Sequence, residues 1–410
     1  MIEPDDRPYD VAIAGAGLAG GSLALRLARA GLRVALVDAG EFPRDKVCGE
    51  FLSPECWDAF DDLDLSGAIE GLGYHPIRRV RISTPRGREV VADVVGPDGR
   101  PGIGLSRYAL DDLLLRRARD AGADVVEGAR VLGPSLVDGR VAGLRARATS
   151  GAVRTIRAAV TVAADGRQST LVRATGATRG RSWFRPRLFG LKRHLGVGDP
   201  ALGEEPGTVG LHLVSGGYGG TCLIEGGATN LCALLPEATV RDRRGDLDRV
   251  AAEFLGRNPV LARLLAGATG LAPWKAIAGV QVQTSRPRLP GILYVGDARG
   301  TVDPLGGQGM TMALLGAAEL STVVARACVR GGAGVGPDLQ AAWDRTWERR
   351  FRRRIALCRG FHHFLTRPAL TDLAATLGPG AARLLAWGYG QTREARRPRP
   401  APIGQIATGV

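Results

Sequence analysis

A glycine-rich turn between two short apolar runs constrains the fold of this chain more than any other feature. Each run holds four apolar residues, the pattern of a strand buried on both faces of a parallel sheet. An alanine- and leucine-rich segment between the runs, closed by a glycine, predicts a helix. In order, these elements are the strand 11–14, the turn Gly15-Ala16-Gly17-Leu18-Ala19-Gly20, the helix 22–30, the strand 34–37, and Asp38.

This order of strand, turn, helix, strand and acid is what a dinucleotide site requires. Gly15 allows a tight turn, Gly17 lets the backbone approach a pyrophosphate, and Gly20 lets helix and strand pack closely. The helix start offers free N–H groups to phosphates, and Asp38 can accept hydrogen bonds from a ribose diol. Because the chain has 59 glycines, an ordinary glycine-rich turn is the alternative. The complete order favours a bound nucleotide, either NAD or FAD.

Composition narrows the class of protein further. The 410 residues are enough for a large core and two or three domains. Aromatic residues make up only 5%, so we expect no base-stacking surface and no nucleic-acid partner. The net charge of +14 comes mainly from arginine. It fits a general arginine bias, or a surface that attracts anionic cofactors, substrates or membranes.

The cysteines and the apolar segments predict a cytoplasmic protein. Six cysteines show neither a CxxC pair nor metal-ligand spacing, which indicates reduced thiols and no metal site. The first residues are acidic and lack the apolar run of a signal peptide. The apolar helix expected at 310–329 contains Glu319 and Arg326, so we expect a buried helix and not a membrane span.

The alternation of patterns predicts an α/β fold: a Rossmann-type domain with a parallel sheet, interrupted by a β-rich substrate domain and followed by helices. Residues 76–104 are expected to form short antiparallel strands, and residues 246–266 a helix. A basic helix at 341–364 has an arginine-rich face that is either a solvated surface or a peripheral membrane contact. The predicted units are a first domain at 1–75, 105–177 and 287–330, a substrate domain at 76–104 and 178–286, C-terminal helices at 331–390, and a disordered tail at 391–410.

Further motifs follow the glycine turn in a recognisable order. They are Asp165-Gly166-Arg167-Gln168-Ser169-Thr170, then Gly296-Asp297, then Pro304, then Gly307-Gln308-Gly309-Met310. With the turn and Asp38, this order resembles the FAD-binding flavoproteins of the para-hydroxybenzoate-hydroxylase type. Residues 44–54, which read RDKVCGEFLSP, resemble a segment of geranylgeranyl-reductase-like flavoproteins, and the basic helix resembles flavoproteins associated with type III polyketide synthases.

The resemblance implies FAD as cofactor and NAD(P)H as transient reductant. It places Asp38 on the adenosine ribose, Arg107 near the phosphates or ribose, Val131 at the adenine and Asp297 on the ribityl chain. The favoured role of Cys48 is then a thiol packed against the flavin ring, and the alternative is a redox-active group. The full set of implied cofactor contacts is Gly15, Gly17, Ala19, Gly20, Asp38, Arg44, Cys48, Gly49, Arg107, Val131, Asp165, Gly166, Asp297, Pro304, Gly307, Gly309 and Met310.

Departures from these relatives guide the choice of reaction. Lipid reductases of this type carry Tyr-x-Trp-x-Phe-Pro, where this chain reads Tyr218-Gly219-Gly220-Thr221-Cys222-Leu223. The tryptophan motif of halogenases has only a poor counterpart around Trp274 and Lys275. We therefore expect an FAD-dependent monooxygenase that hydroxylates an aromatic or polyketide-derived product through a flavin C4a-hydroperoxide, as in secondary metabolism.

Two other functions stay open from the residues alone. One is a flavin-dependent alkene reductase of the geranylgeranyl-reductase type, and the other, from a different class, is a flavoprotein that only binds. Halogenation is less favoured. The candidates for activating a phenol are His194, His212 and Tyr218. The sequence does not identify a catalytic residue, the substrate or the oligomeric state.

Overall fold

Two large sheets and a C-terminal set of helices make up the fold in a computed structural model. The structure describes residues 7–94, 96, 98–176, 178–179, 187–280, 285–286, 291–329, 336–365, 367–376 and 379–391. The first six residues, and all but Gln391 of the predicted disordered tail, lie outside the described residues.

The strands occur from residue 9 to residue 294, with helices between several of them. They are β1 (Tyr9–Ala14), β2 (Val34–Val37), β3 (Phe51–Leu52), β4 (His75–Ile77), β5 (Arg79–Ser83), β6 (Glu89–Asp93), β7 (Gly102–Gly104), β8 (Asp124–Val126), β9 (Arg130–Val137), β10 (Arg140–Arg147), β11 (Val153–Ala163), β12 (Thr178–Arg179), β13 (Leu188–Val197), β14 (Thr208–Val214), β15 (Gly217–Leu223), β16 (Thr229–Pro236), β17 (Ala268–Gly270), β18 (Lys275–Val280), β19 (Ser285–Arg286) and β20 (Ile292–Tyr294).

The longest helices lie at the C-terminal end. The α-helices are α1 (Leu18–Arg29), α2 (Cys56–Asp61), α3 (Ser66–Gly71), α4 (Arg107–Asp120), α5 (Thr170–Ala174), α6 (Glu237–Arg241), α7 (Leu247–Phe254), α8 (Pro259–Gly267), α9 (Gly309–Val329), α10 (Pro337–Leu365), α11 (Pro368–Ala375) and α12 (Pro379–Gln391).

The first sheet confirms the predicted parallel core. Its order is β8-β2-β1-β11-β10-β9, and β20 also pairs with β11. Strand β1 pairs in parallel with both β2 and β11, with Val11 opposite Val34 and Val160. All residues of β2 are buried, which explains its unbroken apolar pattern.

Helix α1 begins earlier than the predicted 22–30, directly after Gly17. A Cβ at Gly20 would lie 1.8 Å from the Gly15 carbonyl oxygen, and one at Gly21 would lie 3.4 Å from Leu114 Cβ. Close packing therefore requires glycine at position 20, whereas a Cβ at position 21 would make an ordinary contact. The earlier start points the first turn of the helix at the glycine loop.

The second sheet is mostly antiparallel and has the order β17-β13-β16-β15-β14-β5-β6, with β18 also paired to β13. The prediction of a purely antiparallel 76–104 segment was wrong in one respect. Strand β5 pairs with β6 antiparallel but with β14 in parallel, with Val80 opposite Val209. The nearby strands β4 and β7 instead join β3 in a three-stranded sheet. These long-range pairings cannot be read from local alternation.

The predicted single helix 246–266 is two helices, α7 and α8, because Asn258 and Pro259 interrupt it. Asn258 caps α8 through its side-chain oxygen, which accepts from the Val260 N–H. Its side-chain amide donates to Ser83 Oγ at 2.9 Å and to the Leu213 carbonyl at 3.0 Å. The break therefore ties α8 to the second sheet.

The C-terminal helices pack against elements of both large sheets. Trp343, Trp347 and Phe351 of α10 are buried in the core that also contains α1 and α9. The Arg354 guanidinium makes two 2.8 Å hydrogen bonds to the Glu55 carboxylate. The α10 helix thus covers the first sheet's helical layer and continues over the second sheet.

Helix α9 is the one candidate membrane span found among the described residues. Between Gly309 and Cys328 it is long and apolar enough to cross a membrane, and 56% of that window is buried inside the protein. Core helices of soluble proteins pass the same test, so the evidence for a span is weak. The cytoplasmic location stays a prediction.

Candidate active site

The glycine turn brings backbone close to backbone at the carboxyl end of β1. Gly15 has a φ of +97°, and a Cβ there would lie 2.6 Å from the Ala164 carbonyl oxygen. A Cβ at Gly17 would lie 3.3 Å from the Arg107 guanidinium. Only a glycine turn therefore leaves room between β1, β11 and Arg107 for another group.

Asp38 holds the backbone on both sides of it through hydrogen bonds. Its carboxylate accepts from the Ala16 N–H at 2.7 Å and the Gly40 N–H at 2.8 Å, and lies 3.1 Å from an Arg44 nitrogen. The Ala129 N–H donates to the Asp38 carbonyl, which brings the start of β9 and the buried Val131 beside it. This is where the sequence predicts the adenosine end.

A long groove runs from the glycine turn to the start of α9, and we call it the cofactor groove. Eleven of the predicted contacts line it: Gly17, Ala19, Cys48, Gly49, Arg107, Gly166, Asp297, Pro304, Gly307, Gly309 and Met310. Gly15, Gly20, Asp38, Arg44 and Val131 lie at or behind the turn instead. Asp165 is turned away, because its carboxylate accepts from the Thr170 N–H at 2.7 Å, at the start of α5.

Two cations face the middle of the cofactor groove. Arg107 is buried and makes two 2.7 Å hydrogen bonds to Asp111. Burial opposes its charge, but this pairing prevails and raises the pKa of the guanidinium. The Lys46 ammonium has no hydrogen-bond or ion-pair partner among the residues that the structure describes. Desolvation, followed by the neighbouring Arg107 charge, lowers the pKa of Lys46.

An anion between Lys46 and Arg107 would therefore be stabilised by both. The diphosphate of FAD is such an anion, and it would also face the start of α1. The groove residues thus fit FAD: glycine backbone and two cations for the diphosphate, and Asp38 for the adenosine ribose. The sequence analysis assigned no role to Lys46, although this residue lies inside the 44–54 segment.

The far end of the groove is formed by the turn before α9. Gly307 has a φ of +61°, and a Cβ there would lie 3.1 Å from the Phe51 ring. Helix α9 then starts at Gly309, so its free N–H groups and positive dipole end adjoin the groove. Negative charge that develops on a reduced cofactor at this end would be stabilised. Asp297 also lines this end, 3.8 Å from Arg167.

A second cavity, the inner chamber, adjoins this end of the groove. It has a volume of about 150 Å³ and shares Gly49, Tyr218, Cys232, Pro304 and Gly307 with the cofactor groove. Burial raises the pKa of Tyr218 well above 10 and that of the Cys232 thiol to about 12. Both groups stay protonated at neutral pH. They can donate hydrogen bonds but do not act as bases.

The predicted candidate His212 lies on the opposite face of the second sheet from Tyr218. Its Nε2 is 2.9 Å from Thr221 Oγ1, and its Nδ1 is 2.9 Å from Ser83 Oγ. Thr221 donates to Glu204 at 2.5 Å, so the ring nitrogens and both hydroxyls are engaged. The geometry gives His212 a structural role and leaves it without access to the inner chamber.

The third candidate, His194, belongs to a buried charged cluster that sequence reasoning missed. Lys192 Nζ lies 2.5 Å from both Asp45 and Glu50, and His194 Nε2 lies 2.7 Å from the other Glu50 oxygen. Glu50 is fully buried and has a φ of +55°. Asp45, Glu50 and His194 could also offer metal ligands, but the Lys192 ammonium already lies against both carboxylates. The cluster joins the 44–54 segment to β13.

Comparison with known proteins identifies the cofactor. Residues 8–186 match a family model described as FAD binding domain. The chain is an FAD-dependent oxidoreductase. The predicted fold class, superfamily and FAD cofactor are thereby confirmed, and the groove described above is the part of the molecule that fits FAD.

Relatives of this oxidoreductase carry out different reactions. A menaquinone reductase of Mycolicibacterium smegmatis is 27% identical over 393 residues, which covers 92% of this chain and 89% of that protein. The solved flavin-dependent brominase Bmp2 has a TM-score of 0.77 at 19% identity, over 98% of both chains. The p-nitrophenol 4-monooxygenase PnpA of Pseudomonas putida has a TM-score of 0.74 at 16% identity, over 95% of this chain and 99% of that one. The two structural likenesses show the fold alone.

Trp274 and Lys275, the residues compared with the halogenase motif, lie outside both cavities. The Trp274 indole donates to Asp248 at 2.8 Å, and Lys275 is exposed on β18. Neither residue lines the cofactor groove or the inner chamber.

Proposed function

We propose that this oxidoreductase is a monooxygenase that uses NAD(P)H and O2 to hydroxylate an aromatic or polyketide-derived small molecule. The observation that carries the proposal is the inner chamber, a largely apolar cavity of about 150 Å³ beside the predicted flavin position. An apolar cavity of about this volume holds one benzene ring. A single aromatic ring can therefore lie next to the reactive end of the groove.

Gly220 keeps this space open. A Cβ at Gly220 would meet only the carbonyl oxygens of Cys232 and Gly210, at 3.5 and 3.7 Å. The lipid-reductase motif has tryptophan at the matching position, and a tryptophan here would project into the inner chamber. The glycine supports a substrate whose own ring takes that place.

Tyr218 is the polar group best placed to orient such a ring. Its phenol is 7% exposed, lines both cavities and stays protonated. It can donate a hydrogen bond to a substrate oxygen while the apolar walls exclude water. Reduced FAD supplies the oxygen-activating chemistry, so the contribution of the chain is binding, orientation and exclusion of solvent.

Alkene reduction is the second candidate function. The inner chamber is mostly apolar, and the likeness to a menaquinone reductase extends over 92% of this chain. The apolar wall favours a lipophilic substrate, and the likeness to a reductase favours its reduction. In that reaction the same groove would hold FAD, and no oxygen would be consumed.

Oxygen dependence separates the two candidates. FAD-loaded protein is supplied with NADH or NADPH and a panel of phenols, and O2 uptake and product mass are followed. Hydroxylation predicts phenol-stimulated O2 uptake and a product heavier by one oxygen atom. Anaerobic gain of two hydrogens by a prenyl alkene, with no phenol turnover, would overturn the proposal.

The chamber itself is tested by two substitutions at one position. Gly220→Trp should fill the inner chamber and abolish phenol turnover while the protein still binds FAD. Gly220→Ala should retain turnover, because its Cβ fits. Equal turnover by the tryptophan variant and wild type would show that the ring binds elsewhere.

A further inference from the structure

A third cavity, the outer chamber, lies between the second sheet and the C-terminal helices. It has a volume of about 350 Å³ and is lined by Ile82 and Val90 of the sheet and by residues of α10, α11 and α12. Its wall is almost wholly apolar. Thr84 and Thr371 are the hydroxyl-bearing residues among the lining residues that the structure describes, and no charged side chain lines it there.

The outer chamber adjoins the inner one. Ile82, Phe361 and Leu365 line both cavities. The Phe361 ring lies against α12 at Gly388, where an added Cβ would lie 2.3 Å from it. Since the inner chamber adjoins the cofactor groove, a chain of three adjoining spaces runs from the predicted flavin position to the C-terminal helices.

We propose that the outer chamber binds the hydrocarbon tail of the substrate, so that the substrate class is an amphiphile with a reactive head and an alkyl or alkenyl chain. This inference rests on the proposed function only in placing the reactive head in the inner chamber. By the volume of the benzene-binding cavity, 350 Å³ accommodates on the order of a dozen carbon atoms.

The outer chamber has an exposed apolar rim through which such a chain could enter. Phe364 and Trp387 line it and are still 38% and 63% exposed. Leu370 and Leu373 of α11 add exposed apolar surface, at 39% and 66%. A free tail would cover part of this surface. A tail also explains why α10–α12 enclose a cavity where a core of this size would ordinarily be filled.

Binding as a function of chain length tests the inference without any turnover. The probe is 11-(dansylamino)undecanoic acid, displaced from FAD-loaded protein by 4-n-alkylphenols from methyl to dodecyl. Each added methylene should strengthen displacement about threefold to fourfold until the outer chamber is filled, after which the gain stops. Equal affinity for the methyl and dodecyl compounds would overturn the inference.

Tryptophan substitutions that fill the outer chamber test the tail site directly. Ala375→Trp in α11, and independently Ala356→Trp in α10, should weaken binding of the dodecyl compound at least tenfold and leave p-cresol binding unchanged. Arg383→Trp, at an exposed position of α12 that does not line the cavity, is the control and should behave as wild type. Unchanged dodecyl binding in both filled variants, with FAD content retained, would refute a tail site here.

The two proposals fail in different ways. Chain-length-dependent binding without any phenol turnover would remove the hydroxylation proposal and keep the tail site. Turnover of short phenols with no effect of chain length or of Ala375→Trp would keep the hydroxylation proposal and remove the tail site.

Discussion

At the scale of single residues, Lys46 is a cation of the cofactor groove whose charge the described protein residues do not balance. Arg107 is neutralised by Asp111, whereas Lys46 is half-buried, has a pKa lowered by burial, and has no ion-pair partner among the described residues. A desolvated cation is costly unless an anion accompanies it. The diphosphate of FAD supplies that anion.

Replacing Lys46 should therefore weaken FAD binding more than it affects folding. Lys46→Met is expected to raise the FAD dissociation constant about tenfold to a hundredfold, the value of a hydrogen bond to a charged group. Lys46→Arg should recover most of the affinity. Fluorescence titration of the apoprotein with FAD measures both, and Lys275→Met, an exposed lysine on β18, is the control. An unchanged constant in Lys46→Met would place the diphosphate elsewhere.

At the scale of elements, the charged cluster holds the 44–54 segment against β13. Lys192 is 1% exposed and reaches Asp45 and Glu50, which lie on either side of groove residues Cys48 and Gly49. The Asn230 amide of the neighbouring strand also donates to the Cys48 carbonyl at 3.1 Å. The wall of the cofactor groove is thus positioned by the second sheet.

Removing the cation should destabilise the protein strongly. Lys192→Met leaves Asp45 and Glu50 without their shared partner, and breaking a buried pair typically costs about 3–5 kcal/mol. Urea unfolding followed by circular dichroism measures the loss. Lys275, which pairs in register with Lys192 on β18 but is exposed, offers the matched control Lys275→Met, with little expected change. Equal stability of the two variants would refute the role of the cluster.

The same cluster predicts a dependence on acid pH. Burial opposes the charge of Asp45, but the hydrogen bond from Lys192 prevails and lowers the pKa of this carboxyl below 3.8. A carboxyl with a lower pKa in the folded state stabilises the fold above pH 3.8, and the contribution is lost as the pH falls through the folded-state value. The stability difference between wild type and Asp45→Asn should therefore shrink below pH 3.8. A constant difference from pH 6 to pH 3 in urea unfolding would contradict this, and exposed Asp93→Asn is the control.

At the scale of the whole molecule, α10 joins the two domains. Trp343 is 1% exposed, and its indole donates to the Tyr294 carbonyl of β20 at 2.8 Å. Farther along, Phe361 and Leu365 form walls of both chambers over the second sheet. One helix therefore contributes to the core around α1 and α9 and to the walls of the inner and outer chambers.

Trp343→Ala should consequently destabilise the entire protein. Loss of a buried tryptophan costs about 3–5 kcal/mol, because both the transfer free energy and the cavity contribute. Thermal unfolding and FAD release should shift together, since α10 packs on the cofactor domain. Trp387→Ala, at a position 63% exposed, should change stability little. A shift confined to one of the two transitions would show that α10 is not shared between the domains.

The sequence by itself determined the cofactor half of the site. Strand, glycine turn, helix and Asp38 are contiguous, so local pattern and spacing were sufficient to predict the parallel core and a dinucleotide. The later glycine–aspartate and Gly307–Met310 motifs could be placed because each is also a local turn. The prediction of one helix at 246–266 was wrong although Asn258 and Pro259 are a local break signal. Only the structure shows that the Asn258 amide also bonds to Ser83 and Leu213.

Only the tertiary structure decided which residues surround the substrate space. The outer chamber is formed by β5, β6 and three C-terminal helices, separated by more than 250 positions along the chain. The partnership of Lys192 with Asp45 and Glu50 spans 147 and 142 positions. Tyr218 and His212 also lie on opposite faces of the second sheet, so only Tyr218 lines the inner chamber. Such contacts depend on the pairing of distant strands and on helix docking, whereas a turn depends on neighbouring residues. For this reason the cofactor could be predicted from the sequence, and the shape of the proposed substrate site could not.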